Sequence, residues 1–250
     1  MPPSPFQPPY SGTEGILAWI IDPRAGDLHV RMSDEPPSPP SDAVEREWRT
    51  RCEANPRLYD GAVLSVQRFH PETNEIVAVR DSFKRLTVQP RVHTGVQLLA
   101  VTAVLEAADA MGRRFVLMGQ RSRQTRIYGG QWEVGPSGGV SPPPPEVQSL
   151  SLDDLCRSLA DEVSEEIGMQ LPSKGEPLAY IRDLEAFSDD IIIRFRLGAL
   201  EDVASAARPA NWEYEATVWM PIDSVSQFDG PETIAATRAA FRMLGLIDMF

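Results

Sequence analysis

The apolar residues along the chain predict a β-rich first third, a strongly apolar centre and a mixed α/β remainder. Residues 16–21 are a short continuous run closed by Asp22-Pro23, and 28–32 alternate apolar and polar side chains, the signs of a buried and a half-exposed strand. Ser41 is placed as the N-cap of a helix through 43–55, which Pro56 ends. Residues 59–69, 74–82 and 84–90 read as strands, the first two joined by a hairpin-like turn at 71–74. The run VQLLAVTAVL at 96–105 is that of a strand buried on both faces, and 115–122 is a second strong strand. Segment 129–140, GGQWEVGPSGGV, sets five glycines around Trp132 and Glu133 and reads as a strand passing into a tight loop. Proline excludes helix and central strand from 141–149. A helix is expected over 152–167, with Ser151 as N-cap, Asp153 and Asp154 in its first turn and Gly168 at its C-terminal stop. Strands at 178–182, 190–197 and 215–220 follow, and a last helix starts near 231–233.

Proline changes this picture only locally. The 23 prolines in 250 residues are about twice ordinary usage, and they cluster. They mark a Pro-rich tail at 1–12, expected to be disordered, and a connector at 34–42. The expected organisation is that tail, a β-rich extension with one helix at 13–90, and a main α/β domain at 91–250.

Charge narrows the partners. Lys and Arg total 24 against 36 Asp and Glu, a formal net charge of −12, which repels nucleic-acid backbones and anionic lipid surfaces. An anionic small molecule is accommodated only where a cation mediates. Cys52 and Cys156 lack any CxxC or Cys/His spacing, so a disulfide framework and a structural zinc site are excluded. His29, His70 and His93 share no motif. No run approaches the ~20 apolar residues that span a bilayer, and MPPSPFQPPYSG has neither region of a secretory signal. A cytoplasmic protein without nucleic-acid or membrane partners is the expectation.

The chemistry concentrates in DEVSEEIGM, residues 161–169. On a helix, Glu162, Glu165 and Glu166 fall within an arc of roughly 100°, with Leu155, Leu159, Val163 and Ile167 on the adjoining, core-facing side. Three carboxylates on one narrow face repel one another without a counter-cation, and oxygen donors so grouped suit Mg²⁺ or Mn²⁺. A solvated acidic face is the alternative. Placement near a helix C-terminus opposes the helix dipole, so stability does not account for it.

Gly138-Gly139 followed by Glu162, Val163, Glu165, Glu166, Gly168 and Met169 resembles the Nudix box, G-x5-E-x7-R-E-U-x-E-E-x-G-U with U aliphatic. The resemblance implies a Nudix-type α/β/α sandwich with a mixed sheet, and it makes Glu162, Glu165 and Glu166 the catalytic, metal-binding carboxylates. Gly139 and Glu162 lie 23 positions apart, eight more than in the family, and the 142–145 proline run supplies the extra length. Asp161 stands where the family has arginine, and Glu146 is only a loose counterpart of the upstream glutamate. QRSRQTRIYGGQWEVGPSGGV and NPRLYDG are similar to the branch of Nudix enzymes that cleaves UDP-glucose and UDP-galactose. That likeness implies Mg²⁺-dependent hydrolysis, with Mn²⁺ as a substitute, of a small nucleotide-diphosphate substrate by a monomer or homodimer. Hydrolysis of ADP-ribose or another nucleotide diphosphate, and a non-catalytic nucleotide-sensing module, are the alternatives. Substrate-binding candidates are Arg121 and Arg123, whose forks suit phosphate, Tyr128 and Trp132 as stacking rings, and Gly138 and Gly139. Arg126 is a third arginine of the same segment, and Glu133, Glu213 and Glu215 are further candidate ligands or bases between which the sequence does not choose.

Overall fold

The computed structural model describes residues 10–11, 15–35, 39 and 41–246. The N-terminal part supplies β1 (Tyr10–Ser11), β2 (Ile16–Ile20), β3 (His29–Met32), α1 (Asp42–Ala54), β4 (Ala62–His70), β5 (Glu75–Ser82) and α2 (Phe83–Thr87). Then come β6 (Leu98–Ala108), β7 (Arg114–Arg121), β8 (Trp132–Val134), β9 (Ser137–Gly139), β10 (Ser149–Ser151) and α3 (Leu152–Ile167). The chain continues through β11 (Glu176–Asp183), β12 (Ser188–Ala199), α4 (Leu200–Val203), β13 (Tyr214–Pro221) and α5 (Ala235–Met243).

The apolar run of β6 is the hub of a mixed sheet. One edge pairs in parallel with β12, in register from Leu98 opposite Ser188 to Leu105 opposite Phe195. The other edge is divided among three partners: β4 at Leu98, β9 at Ala100–Thr102 and β7 at Glu106–Ala108. Beyond that division β7 carries β8 and β13, while β11, β2 and β1 extend the sheet on the β12 side. Both faces of β6 are covered, which is why its sequence is apolar without alternation. Leu99, Val101, Ala103 and Leu105 pack in one core with Leu155, Leu159, Val163 and Ile167 of α3. Val104 packs in a second core with Ala239, Ala240 and Phe241 of α5. The α/β/α arrangement around a mixed sheet expected from the sequence is the one observed.

Helix α3 has the ends its sequence announces. The Ser151 hydroxyl accepts from the Asp154 N–H while the Asp154 carboxylate accepts from the Ser151 N–H, a reciprocal cap. Gly168, at φ 70°, ends the helix in the left-handed conformation that glycine adopts without strain.

The N-terminal strands join the same sheet and the same core. Val30, Leu64 and Ile76 belong to the cluster that contains Leu159. Phe69 of β4 stacks on Tyr180 of β11 at 4.1 Å, with Trp19 of β2 set edge-on to both rings. The proline-rich insertion docks onto this part. Arg80 donates to the Pro143 carbonyl, the Met32 N–H bonds Gln148, and β10 pairs antiparallel with β3.

Three sequence expectations need revision. Residues 84–90 form no strand, and Phe83–Thr87 are helical instead. The Ser82 hydroxyl caps this turn, and Arg85 is held by Asp81 at 2.7 Å and by the Thr94 carbonyl at 2.8 Å, contacts that outweigh local β propensity. The last helix starts at Ala235, with no side-chain cap. In the tail, Tyr10 and Ser11 pair with β2, whereas 1–9 and 12–14 lie outside the described residues, as do 36–38 and 40 of the connector.

Leu159 is fully buried between α3 and the sheet. Leu159→Ala is expected to cost roughly 2–5 kcal/mol in urea unfolding. Glu165→Ala, on the exposed side of the same helix, should change stability by no more than about 0.5 kcal/mol.

Candidate active site

The division of the β6 edge leaves a notch, and β9 fills it with glycine. A side chain at Gly138 would run into the Glu162 carboxylate, so hydrogen at this position is what allows α3 to bring that carboxylate against the sheet. Glu166, one turn on, is 3% exposed, and its Oε2 finds no hydrogen-bond partner. Glu162 is half-buried and Glu165 is exposed. The acidic face is therefore graded, from buried Glu166 through half-buried Glu162 to exposed Glu165, whose charge still acts on Glu162.

Two further carboxylates meet the inward pair. Glu133 on β8 is 1% exposed and accepts 2.6 Å hydrogen bonds from Arg121 Nη1 and the Tyr214 hydroxyl. Tyr214 crosses the sheet where Gly119 makes room for its ring and Gly135 for its hydroxyl. Glu213, just before β13, presses its charge on both Glu162 and Glu166. Burial, then the Glu213, Glu165 and Asp161 charges, push Glu162 up to about 7. Burial, followed by Glu213, Glu133 and Glu162, pushes Glu166 up as well. Burial pulls Arg121 down, but Glu133 above all, with Tyr214 and Glu166, more than offsets it and leaves this guanidinium well above its ordinary value. Four carboxylates thus gather here, and Arg121, firmly charged, meets two of them, Glu133 and Glu166. Asp161, where the resemblance led one to expect arginine, adds to the negative charge.

Such a donor set fits a hard divalent cation. The orphaned Glu166 oxygen and the upward shifts of Glu162 and Glu166 mark negative charge that the protein itself does not neutralise. Among the described residues no three acid, histidine or cysteine side chains are already arranged so that they could hold a metal ion.

A cavity of about 200 Å³ opens beside this cluster, with Arg121, Glu133, Gly138 and Gly139 in its wall. Its far end is polar in a different way. Asp183 accepts from the N–H groups of Glu185 and Ala186, both at 2.9 Å, and from the Tyr128 hydroxyl at 2.8 Å. Asp190 accepts from Ser188 at 2.7 Å and Thr102 at 3.2 Å. Burial, assisted by the charges of Asp183 and Asp189, pushes Asp190 up to about 7 despite those two hydroxyls.

Of the substrate-binding candidates, Arg121, Tyr128, Gly138 and Gly139 line this cavity, and Arg123 and Trp132 do not. Arg123 is exposed, and its backbone N–H is bound by Glu215, which takes Glu215 away from the cluster. Trp132 packs edge-on against Phe228 at 5.5 Å, in the α5 core. Glu146 is exposed on the docked insertion. Between the candidates left open, the fold brings Glu133 and Glu213 to the carboxylates. Tyr214, Asp183 and Asp190 were not singled out. Only the acidic pair that opens the apolar strand DDIII hinted at Asp190.

No protein-family model matches the chain, and no curated protein matches it. Among solved structures it is similar to the MutT protein of Methanosarcina mazei Go1, with 22% identity and a TM-score of 0.39 over 60% of this chain and 91% of that one. A mutT/nudix family protein of Listeria innocua aligns with 14% identity and a TM-score of 0.44, covering 59% of this chain and 91% of the other. For an Ap4A hydrolase of C. elegans the values are 16% and 0.40, over 59% and 95%. Likenesses this loose leave the chemistry to be read from the site.

Asp190 gives a pH test. Its folded-state value of about 7 lies above the ordinary 3.8, so the folded chain holds a proton there that the unfolded chain has lost. Its contribution to stability therefore falls as pH rises from about 4 to about 7 and levels off above that. Asp190→Asn should match the parent melting temperature near pH 4 and exceed it by several degrees at pH 8. An equal difference at both pH values would show that Asp190 ionises freely.

Proposed function

We propose that the chain is a divalent-metal-dependent hydrolase of the Nudix type, acting on a nucleoside-diphosphate sugar. The best candidates are UDP-glucose and UDP-galactose, cleaved to UMP and sugar 1-phosphate. The observation that carries this reading is the meeting of Glu162, set against Gly138, with Glu166, Glu133 and Glu213, beside a cavity that also presents Arg121. The E-x-x-E-E-x-G spacing at 162–168 supports it. A substrate carrying two phosphates is repelled by this cluster unless a cation stands between them, so the charge pattern suits a metal-diphosphate pair and little else.

Glu162, Glu165 and Glu166 would hold the ion, which when bound neutralises the diphosphate and favours attack at phosphorus. Arg121 is oriented by Glu133 and lines the cavity, where its guanidinium would meet a phosphate oxygen. Water adds to one phosphorus, the bond to the bridging oxygen breaks, and the water proton passes to a cluster carboxylate. Glu213, half-buried beside Glu166, would be the acceptor, a role its closeness to the cluster supports. Asp190 at the far end can accept from sugar hydroxyls.

The test is release of UMP from UDP-glucose and UDP-galactose with Mg²⁺, alongside ADP-ribose. Glu166→Gln should lower turnover by at least about a hundredfold with the fold retained by circular dichroism. Gly138→Ala should do nearly as much by displacing Glu162. UMP release that persists in EDTA, or a Glu166→Gln variant at parental rate, would remove the carboxylates from the reaction. Preferred cleavage of ADP-ribose would keep the chemistry and change the substrate.

A further inference from the structure

A second, larger cavity of about 750 Å³ lies at the seam between the N-terminal helices and the loops that frame the catalytic cleft. Its wall combines Arg51 at the end of α1, Arg57 just beyond it, Phe83 and Thr87 of α2, Arg126 and Trp212. Three features set it apart. First, its lining includes no aspartate or glutamate, in a chain with 36 of them. Among the described residues neither Arg57 nor Arg126 has a carboxylate within ion-pair distance, and Arg51 is held by Glu47, outside the wall. Second, Thr87 is 3% exposed and its hydroxyl finds no hydrogen-bond partner, an unusual state for a buried polar group. Third, the cavity adjoins the catalytic one: Arg126 lines both, and Trp212 immediately precedes Glu213 of the carboxylate cluster.

The requirements of these groups converge on one kind of ligand. Guanidinium forks call for carbonyl or phosphate oxygens, and the 57%-exposed indole of Trp212 for a planar ring. The carboxylate-lined end of the catalytic cavity, by contrast, suits hydroxyl donors. We propose that the seam cavity binds the nucleoside end of the substrate, with Trp212 as its stacking platform and Arg57 and Arg126 on its oxygen-rich edge, while the sugar end enters the catalytic cavity. The identity of this ligand rests on the hydrolase reading. The N-terminal part then contributes to specificity, because Arg51, Arg57, Phe83 and Thr87 all come from it.

Binding of UMP alone, measured by calorimetry in EDTA, tests this without turnover. Arg57 and Trp212 are exposed, so Arg57→Gln and Trp212→Ala should fold normally. Each is expected to weaken UMP by about tenfold or more and to raise KM for UDP-glucose with little change in kcat. Arg113→Gln, which removes an equal charge from the distant 109–113 turn, should bind UMP as the parent does. Parental affinity in both seam variants, or no UMP binding by the parent protein, overturns the assignment. Loss specific to the seam variants in a protein that hydrolyses nothing would overturn the hydrolase reading and leave the nucleotide site in place.

Discussion

The contact between Gly138 and the Glu162 carboxylate is the constraint around which the site is built. A carboxylate can press against a β-strand backbone only where the strand has no side chain in the way. Here that place is the notch where one edge of β6 is divided among β4, β9 and β7. Once α3 is seated there by Leu155, Leu159, Val163 and Ile167, Glu162 and Glu166 are carried inward with it. The apolar face thus supplies the free energy that holds two like charges in a place they would not choose alone.

The cluster is kept in place by a second device on the other sheet branch. Glu133, Arg121 and Tyr214 lie on β8, β7 and β13, three neighbouring strands, and their short hydrogen bonds fix one oxygen of Glu133. Gly119 and Gly135 are required because Tyr214 lies flat across the strands that carry them. One arginine against four carboxylates leaves negative charge to be met by protons or by a cation. That imbalance gives the site its chemical character.

The proline-rich insertion ties two parts of the fold together. Pro143 and Gln148 are bonded to β5 and β3, and neither cavity at the site includes 142–145. Because the insertion leads directly into the Ser151 cap, it ties the N-terminal strands to the start of the helix that bears the carboxylates. The N-terminal part thus bears on the start of the carboxylate helix through this strap, and its Arg51 and Arg57 line the neighbouring seam cavity.

Much of this was legible in the sequence because it depends on near neighbours. The caps of α1 and α3, the Gly168 stop, the doubly buried β6 and the E-x-x-E-E spacing all follow from residues within a few positions of one another. Where local propensity met a long-range partner it lost, as in 84–90, where Asp81 and the Thr94 carbonyl hold Arg85 in a helical turn. The helix could show that its acids share a face, but it could not show that Glu166 is buried while Glu165 stays exposed. Nor could it choose Glu133 and Glu213 over Glu215, or exclude Trp132 and Arg123 from the cavity wall. Those outcomes are set by strand pairings between residues tens of positions apart, and register across a sheet is a property of the assembled fold. The sequence alone therefore determined the elements and the residues capable of metal and phosphate chemistry; the tertiary structure decided which of them meet, because burial and like-charge repulsion act only once distant segments are brought together.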